Sequence, residues 1–403
     1  MRLPNAKARR GRTTRITVPG LEFAERDTQS APDVELPVAT SNPVRSHRLR
    51  WRLLSAVAAV VVVGVLVLVN SGRNTGTDNE IATVSPPAES APPTVAAPTR
   101  PVTSIATPTA VGSFSVPAPQ ALALSPDGRH GLAISGDHQV YSLDLTAAKA
   151  TPLMYTPLPP RFAAITPDGR RAYISTYGND LAGVVEVVDT ATDVIIKDIP
   201  VGLRPFALIA TPDGRQVWVP DHDSQTLSVI DTASNTVVAT IRVPASPHWI
   251  TFTPDGRTAF VADHESNLVS VVDVASRTVR ATIPVPLSPH CVVVSPDGSQ
   301  AIVASYDAAS ISFIDVATLA VTTTAVGQNP QALAFAPDSR HAYVADYGSN
   351  TVSVVDTATR QVTATIAVGV GPDYAAVAQD GRRAYVADED SDSVSMLDVG
   401  SRQ

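Results

Sequence analysis

The chain has 403 residues, a formal net charge of −8 and a single cysteine, Cys291. Residues 1–52 contribute +6, so the chain from residue 53 onward carries about −14. This acidic part lacks the clustered Lys and Arg that follow the phosphates of a nucleic acid, which argues against nucleic acid as a partner. One thiol cannot form a disulfide within the chain, and we expect Cys291 to be buried as a small apolar side chain.

The N-terminal segment, residues 1–52, contains 11 Lys/Arg and 5 Asp/Glu and has no sustained hydrophobic periodicity. Such a composition cannot bury a core, so we expect a disordered, basic cytoplasmic tail. Two roles stay open for it, a solvated topology signal or a segment that binds acidic lipid headgroups or a cytoplasmic partner.

An uncharged and mostly apolar run, LLSAVAAVVVVGVLVLV, follows at residues 53–69. Its 17 residues are at the lower end of the length that spans a bilayer as a helix. Because the flank before it, RSHRLRWR (45–52), is basic, the positive-inside bias predicts a cytoplasmic N-terminus and an exported C-terminal domain. We interpret the run as a retained transmembrane signal anchor; the alternative is a cleaved signal peptide.

Residues 70–110 are rich in Pro, Ala, Ser and Thr, as in SPPAESAPPTVAAPTRPV (85–102). This composition favours extended polyproline conformations and cannot form a packed core. We therefore predict a linker that holds the C-terminal domain, residues 111–403, away from the membrane.

Seven copies of one short phrase dominate the C-terminal domain. Successive copies begin 41 to 45 residues apart, which is the period of a four-stranded propeller blade and not of a helical repeat. The copies are SPDGR (125–129), TPDGR (166–170), TPDGR (211–215), TPDGR (253–257), SPDGS (295–299), APDSR (336–340) and AQDGR (378–382). The sequence therefore predicts an all-β, seven-bladed propeller.

One repeat is sufficient to predict the four strands of a blade. In the fourth repeat they are 248–252, 259–262, 268–272 and 279–285. The last repeat ends after its third strand, whereas AVGSFSV (110–116) precedes the first repeat as a fourth strand would. We expect this segment to complete blade seven, so that the ring closes without an exposed sheet edge.

The segment YVADYGSNTVSVVDTATRQVTATIAVG (343–369) resembles the YVTN-type propeller repeat of surface-layer and periplasmic proteins. The resemblance extends over roughly residues 111–403. It implies the fold and carries almost no information about function. With the apolar run, it indicates a single-pass cell-membrane protein whose propeller lies outside the cytoplasm.

The innermost strands of a propeller surround a central channel. Each predicted inner strand begins just after a proline, and the residues that directly follow these prolines, one per blade, form a ring at one mouth of the channel. Its members are Gln120, Arg161, Phe206, His248, His290, Gln331 and Asp373. The six polar members are our candidate ligand-binding residues. The competing interpretation is that they merely line a wet channel.

Blades three to five concentrate histidines near the same mouth. Neutral imidazoles with nearby carboxylates are ligands for a divalent metal such as zinc, and they can also act as a general acid/base pair. The candidate metal ligands are His222, His248, His264, His290, Asp221 and Asp263. No local metal-binding spacing supports a metal, because these residues converge only through the fold.

Two functions follow from these features, beside a third hypothesis of a purely structural surface module. The first is a binding module at the cell envelope. Its ligand or protein partner contacts the face that carries the crossing loops, which are the segments that lead from the last strand of one blade to the first strand of the next. The alternative is a metal-dependent hydrolase or lyase at the channel mouth, since seven-bladed lactonases are propellers of similar size. No nucleophile elbow, phosphate loop or zinc-protease helix is present in the sequence, which favours the binding module over an enzyme.

Overall fold

The structure is a computed structural model that describes residues 102–179 and 181–401. These residues form seven antiparallel sheets of four strands each, which confirms the seven-bladed propeller. The tail (1–52), the apolar run (53–69) and the linker up to residue 101 lie outside the described residues. Within the described ranges no helix has the length and apolar character needed to cross a membrane.

Blades one to three follow one another along the chain, each built from the channel outwards. Blade one contains β2 (Pro119–Leu124), β3 (His130–Ser135), β4 (Gln139–Asp144) and β5 (Lys149–Tyr155). Blade two contains β6 (Pro160–Ile165), β7 (Arg171–Tyr177), β8 (Ala182–Asp189) and β9 (Val194–Leu203). Blade three contains β10 (Ile209–Ala210), β11 (Gln216–Asp221), β12 (Thr226–Asp231) and β13 (Thr236–Arg242).

Blades four to six repeat this order. Blade four contains β14 (Pro247–Phe252), β15 (Thr258–Asp263), β16 (Leu268–Asp273) and β17 (Thr278–Pro284). Blade five contains β18 (Pro289–Val294), β19 (Gln300–Ser305), β20 (Ser310–Asp315) and β21 (Val321–Ala325). Blade six contains β22 (Pro330–Phe335), β23 (His341–Asp346), β24 (Thr351–Asp356) and β25 (Gln361–Ala367). The predicted strands of blade four differ from these bounds by one residue at most.

Blade seven joins the two ends of the described chain. It contains β26 (Pro372–Val377), β27 (Arg383–Asp388), β28 (Ser393–Gly400) and β1 (Ser104–Ser115). Strand β1 pairs with β28 in antiparallel register, with Phe114 opposite Val394. The first strand therefore completes the last blade, as the sequence predicts.

Strand β1 begins at Ser104, inside the segment that the sequence assigns to the linker (70–110). The strand begins this early because Ser104 contacts blade six, whose residues are far from Ser104 in the sequence. The Ser104 hydroxyl donates to Oδ1 of Asp338 over 2.8 Å and lies 2.7 Å from Nδ1 of His341. Proline-rich composition could not reveal this anchor.

The SPDGR-type phrases form the predicted hairpins between the first and second strands. In blade four, Oδ1 of Asp255 accepts hydrogen bonds from the Thr253 hydroxyl over 2.6 Å and from the Arg257 N–H over 3.0 Å. Gly256 has a φ of 68°, a left-handed conformation that costs glycine little. The Asp side chain of each such phrase is thus used within its own hairpin.

The core lies between neighbouring blades, where the second and third strands are almost fully buried and the outermost strands are exposed on alternate residues. Short 3₁₀ helices follow the second strands of blades five to seven, at Tyr306–Ala308, Tyr347–Ser349 and Glu389–Ser391. These helices lie on the crossing-loop face and help to form the channel mouth.

Three aromatic rings cross the channel just below that mouth. The rings of Phe162 and Tyr374 lie 5.4 Å and 5.5 Å from the Trp249 ring, and 6.4 Å from each other. The equivalent positions in the other four blades hold small residues, namely Ala121, Ala207, Cys291 and Ala332. The mouth therefore has an apolar floor made of three large and four small side chains.

Candidate functional site

The residues that follow the crossing prolines lie together at the mouth, as the phase of the repeat predicts. The ring centroids of Phe206 and His248 are 4.1 Å apart, and those of His248 and His290 are 4.7 Å apart. The Gln331 amide is next to both His290 and Asp373 and affects the pKa of each. The structure thus arranges the candidate ligand-binding residues as an inner ring.

A second set of seven residues, which we call the outer ring, surrounds the inner ring. Each member ends or directly follows a second strand, and its N–H donates to the carbonyl of the residue before a crossing proline. In blade four the His264 N–H donates to the Ser246 carbonyl over 2.9 Å, and in blade five Tyr306 donates to Ser288 over 2.8 Å. The outer ring consists of Gly136, Tyr177, His222, His264, Tyr306, Tyr347 and Glu389.

The four histidines of blades three to five form one cluster across the two rings. Nε2 of His264 lies 3.0 Å from Nε2 of His290, and the ring centroids of His222 and His264 are 6.2 Å apart. Nδ1 of His248 lies 3.0 Å from the backbone carbonyl of His290. Because a carbonyl only accepts, His248 carries its proton on Nδ1 and its Nε2 has the free electron pair.

Burial lowers the pKa of three of these histidines, His248, His264 and His290, and so favours their neutral forms. Desolvation and then the neighbouring His264 lower the pKa of His290 to about 4. Desolvation and then His290 lower the pKa of His248 well below its usual value. The imidazoles can therefore accept protons or hydrogen bonds at pH 7.

His222 has a carboxylate partner that orients it. Its Nδ1 donates to Oδ1 of Asp223 over 2.6 Å, and the Arg204 guanidinium lies 3.7 Å from the same oxygen. With the proton fixed on Nδ1, Nε2 of His222 is the basic nitrogen. This Asp–His arrangement is common among general bases.

Asp221 and Asp263, the two candidate metal-binding carboxylates, bond to serines of their own blades. The Ser228 hydroxyl donates to Asp221 over 2.8 Å, and the Ser270 hydroxyl donates to Asp263 over 2.6 Å. Within the described ranges, no group of three or more His, Cys, Asp or Glu side chains is arranged to hold a metal ion. The donor set therefore does not fit a three-ligand metal centre.

Blades six, seven and one give the opposite side of the mouth an acidic character. Burial and then the nearby Glu389 raise the pKa of Asp373 to about 7. Glu389 accepts a hydrogen bond from Nε2 of Gln120 over 2.7 Å, and Asp390 accepts one from the Tyr347 hydroxyl over 2.9 Å. A group with a pKa near 7 can donate a proton where the histidines accept one.

Three buried polar atoms of the inner ring have no hydrogen-bond partner among the described residues. They are Nε of Arg161, Nδ1 of His290 and Oε1 of Gln331. The Arg161 guanidinium lies over the Tyr177 ring, 4.5 Å from its centroid. Buried polar groups are nearly always paired, so this combination indicates a place where another molecule binds.

Sequence reasoning missed several residues of this site, above all Asp223, Arg204 and Tyr177. The pattern pointed to Asp221, because it ends a strand next to His222. A serine seven residues after each such aspartate, Ser228 in blade three, was the available sign that the strand-end carboxylate is used inside the blade. Asp223 gives no such sign because it belongs to a loop whose path depends on the fold.

Comparison with known proteins supports the propeller fold. A family model described as "Lactonase, 7-bladed beta-propeller" matches residues 231–403, which is less than half of the chain. Among solved structures, hydrazine synthase of Kuenenia stuttgartiensis is similar, with a TM-score of 0.64 and 22% sequence identity. The similarity covers 71% of this chain and 97% of that one. No curated protein matches the chain.

At 22% identity the likeness to hydrazine synthase concerns the fold alone. The family match covers the last residue of β12 and all of β13 in blade three, blades four to six, and strands β26 to β28 of blade seven, but not β1. Three of the four clustered histidines, His248, His264 and His290, lie inside it, whereas Arg161, His222 and Asp223 lie outside. Six of the 14 residues of the two rings thus belong to the part of the chain that the family model does not match.

Proposed function

We propose that this chain is an extracytoplasmic, membrane-anchored propeller that binds a small polar ligand at the channel mouth. The observation that carries the proposal is the set of unpartnered buried atoms on Arg161, His290 and Gln331. A binding site is mostly preformed and has a few polar groups that converge over an apolar surface. The inner ring above the Phe162, Trp249 and Tyr374 floor has this composition.

Arg161 determines the chemistry that the mouth favours. Its guanidinium is positive at all relevant pH values, stacks on Tyr177 and forms no ion pair among the described residues. The neutral imidazoles beside it can donate or accept hydrogen bonds. A small molecule with a carboxylate and hydroxyl groups would satisfy these atoms.

Titration of the purified full-length chain with malate and gluconate tests this proposal. We expect at least one of them to bind, and Arg161→Gln to weaken that binding at least tenfold. Arg170→Gln is the matched control, because Arg170 is an exposed arginine of the same blade on the hairpin face. Equal binding by wild type and Arg161→Gln would overturn the assignment of the mouth.

The cellular location rests on residues 45–69, where a basic flank precedes the apolar run. Protease added to intact cells or spheroplasts should cut within the linker (70–101) and release a folded fragment. Protection of the propeller until the cells are lysed would contradict this orientation. The test is independent of any ligand.

Lactone hydrolysis is the second candidate function, favoured by the His222–Asp223 pair together with the family match. In this scheme Nε2 of His222 takes a proton from water, the water oxygen attacks the lactone carbonyl, and the ring C–O bond breaks. Asp373, whose pKa burial raises to about 7, can return a proton to the leaving oxygen. No step is routed through a metal, because the donors present do not fit one.

Hydrolysis of glucono-δ-lactone and dihydrocoumarin, followed in a pH-stat, separates the two candidates. The hydrolase predicts turnover that His222→Gln lowers at least a hundredfold and Asp223→Asn lowers to a smaller extent. Hydrolysis no faster than in buffer, with ligand binding retained, would leave the binding module as the function.

A further inference from the structure

The two arginines of the mouth and the acids of blade seven lie on opposite sides of blade one. Arg161 and Arg204 lie on the side of blades two and three, whereas Asp373, Glu389 and Asp390 lie on blade seven. Blade one stands between the two groups and contributes the neutral Gln120 to the inner ring. This arrangement indicates which charges the ligand carries, which the proposed function leaves open.

On the basic side, Arg161 is the arginine that has no charge partner among the described residues. Arg204 lies over the Phe206 ring, 5.3 Å from its centroid, and is 3.7 Å from Asp223, which offsets its charge. Arg161 stacks on Tyr177, and its buried Nε has no partner in the described part of the chain. A ligand anion is therefore best placed at Arg161.

The acidic side has only neutral donors. Gln120 donates to Glu389 and Tyr347 donates to Asp390, while Gln331 lies beside Asp373. Among residues 102–179 and 181–401, no Arg, Lys or His forms an ion pair with these three acids. Their negative charge is thus available to a cation that enters the mouth.

A propeller that bound no ligand would be stabilised by ion pairs between these opposite charges across the mouth. Opposite charges in a partly buried site attract strongly, and unpaired buried charge is costly. Here the Gln120 side chain bonds to Glu389 and lies between the two signs. Separated charges of this kind are complementary to a molecule that carries both signs itself.

The two sides share one apolar floor. Phe162 and Tyr374 directly follow Arg161 and Asp373 in their strands, and their ring centroids are 6.4 Å apart across the channel. A ligand that rests on these rings therefore lies between the two sides.

We propose that the ligand of this mouth is a zwitterion of the amino-acid class, with its carboxylate at Arg161 and its ammonium at Asp373 and Glu389. The inference rests on the proposed function and adds the ligand class to it. The aromatic floor would contact the carbon skeleton between the two charged groups.

Calorimetric titration of the full-length chain with four probes tests the inference. The probes are L-alanine, 4-aminobutyrate, propionate and propylamine. We expect at least one of the two zwitterions to bind at least tenfold more tightly than propionate and propylamine. Arg161→Gln and Glu389→Gln should each reduce this preference to less than threefold.

Glu265→Gln is the matched control, since Glu265 is an exposed acid of the same face on blade four. It should leave the preference unchanged. Equal affinities for zwitterions and single-charge probes, or no binding by any of the four, would overturn the inference. The titrations with malate and gluconate judge the proposed function separately, because they do not depend on an ammonium group.

Discussion

The Gly202 N–H donates to Oδ1 of Asp221 over 3.0 Å and so ties the crossing into blade three to the end of β11. A side chain at this glycine would meet the carboxylate, because an added Cβ would lie 2.5 Å from Cγ of Asp221. Blade four has Pro244 and Asp263 at the two equivalent positions. A proline has no N–H to donate, and Oδ1 of Asp263 has no partner among the described residues.

Two other blades show which residue suits a proline at this position. In blade one the Ser135 hydroxyl donates to the Pro117 carbonyl over 2.6 Å, and in blade five Ser305 donates to Pro286 over 3.3 Å. A proline crossing is thus paired with a donor. Asp263 can supply a hydrogen-bond donor only in its neutral, protonated form. Burial raises the pKa of Asp263 to about 8, compared with about 6 for Asp221.

The first prediction concerns replacement of these two aspartates by asparagine. Asp263→Asn should raise the free energy of unfolding at pH 7, because the amide can donate where the neutral acid does without the proton uptake that folding of the wild type requires. Asp221→Asn should destabilise by about 1–3 kcal/mol, since three donors converge on that carboxylate. Urea unfolding followed by the fluorescence of the buried Trp218 measures both changes.

The same pair of variants predicts a pH dependence. The folded-state pKa of Asp263 lies above its unfolded value, so its contribution to stability is present below pH 4 and is lost as the pH rises towards 8. Asp263→Asn removes this loss, and its stability relative to wild type should therefore increase between pH 5 and pH 9. A constant difference over that range would mean that Asp263 is ionised throughout.

The second prediction concerns Ser104, which holds the start of the closing strand against blade six. Ser104→Ala removes bonds to Asp338 and His341 from a buried site and should destabilise by about 1–3 kcal/mol. Thr363→Ala is the control, because the Thr363 hydroxyl bonds to Ala106 of the same strand from an exposed position. Equal effects of the two changes would show that Ser104 is not a specific anchor.

This anchor should also weaken in acid. Burial lowers the pKa of His341 below its unfolded value, so its neutral form stabilises the fold above about pH 6.5 and protonation removes that contribution as the pH falls. Melting curves of wild type and His341→Gln between pH 5 and pH 8 should converge at the acidic end.

The third prediction concerns Cys291, which is fully buried next to Trp249 and Tyr374 in the floor of the mouth. Burial raises the pKa of its thiol, so almost no thiolate forms at pH 8. Iodoacetamide should leave Cys291 unmodified in the native chain and modify it fully in urea. Rapid modification of the native chain, seen by mass spectrometry, would show that the channel floor opens.

The repeat made the fold predictable. A phrase that combines proline, aspartate and glycine fixes each hairpin, and its spacing fixes the number of blades, so strand bounds in blade four were right to within one residue. The inner ring was also predictable, because the crossing prolines set the phase of every inner strand. Position in a repeat is a local property that one sequence can reveal.

The contacts of individual side chains were not predictable in the same way. Asp221 and Asp263 seemed to face the histidines, but the strand register turns them towards Ser228 and Ser270. Asp223 became a partner of His222 through the path of a loop. Ser104 reaches Asp338 across 234 residues of sequence, a pairing that depends on ring closure.

A crystal of the full-length chain soaked with a small-fragment library gives the most direct test of the mouth as the ligand site. We expect fragments to bind over the aromatic floor, within hydrogen-bonding distance of Arg161, His290 or Gln331. The competing location is the cleft of about 410 Å³ between blades one and two on the hairpin face, lined by Ser125, His130 and Thr190. Fragments found in that cleft, with the mouth empty in every soaked crystal, would contradict the account.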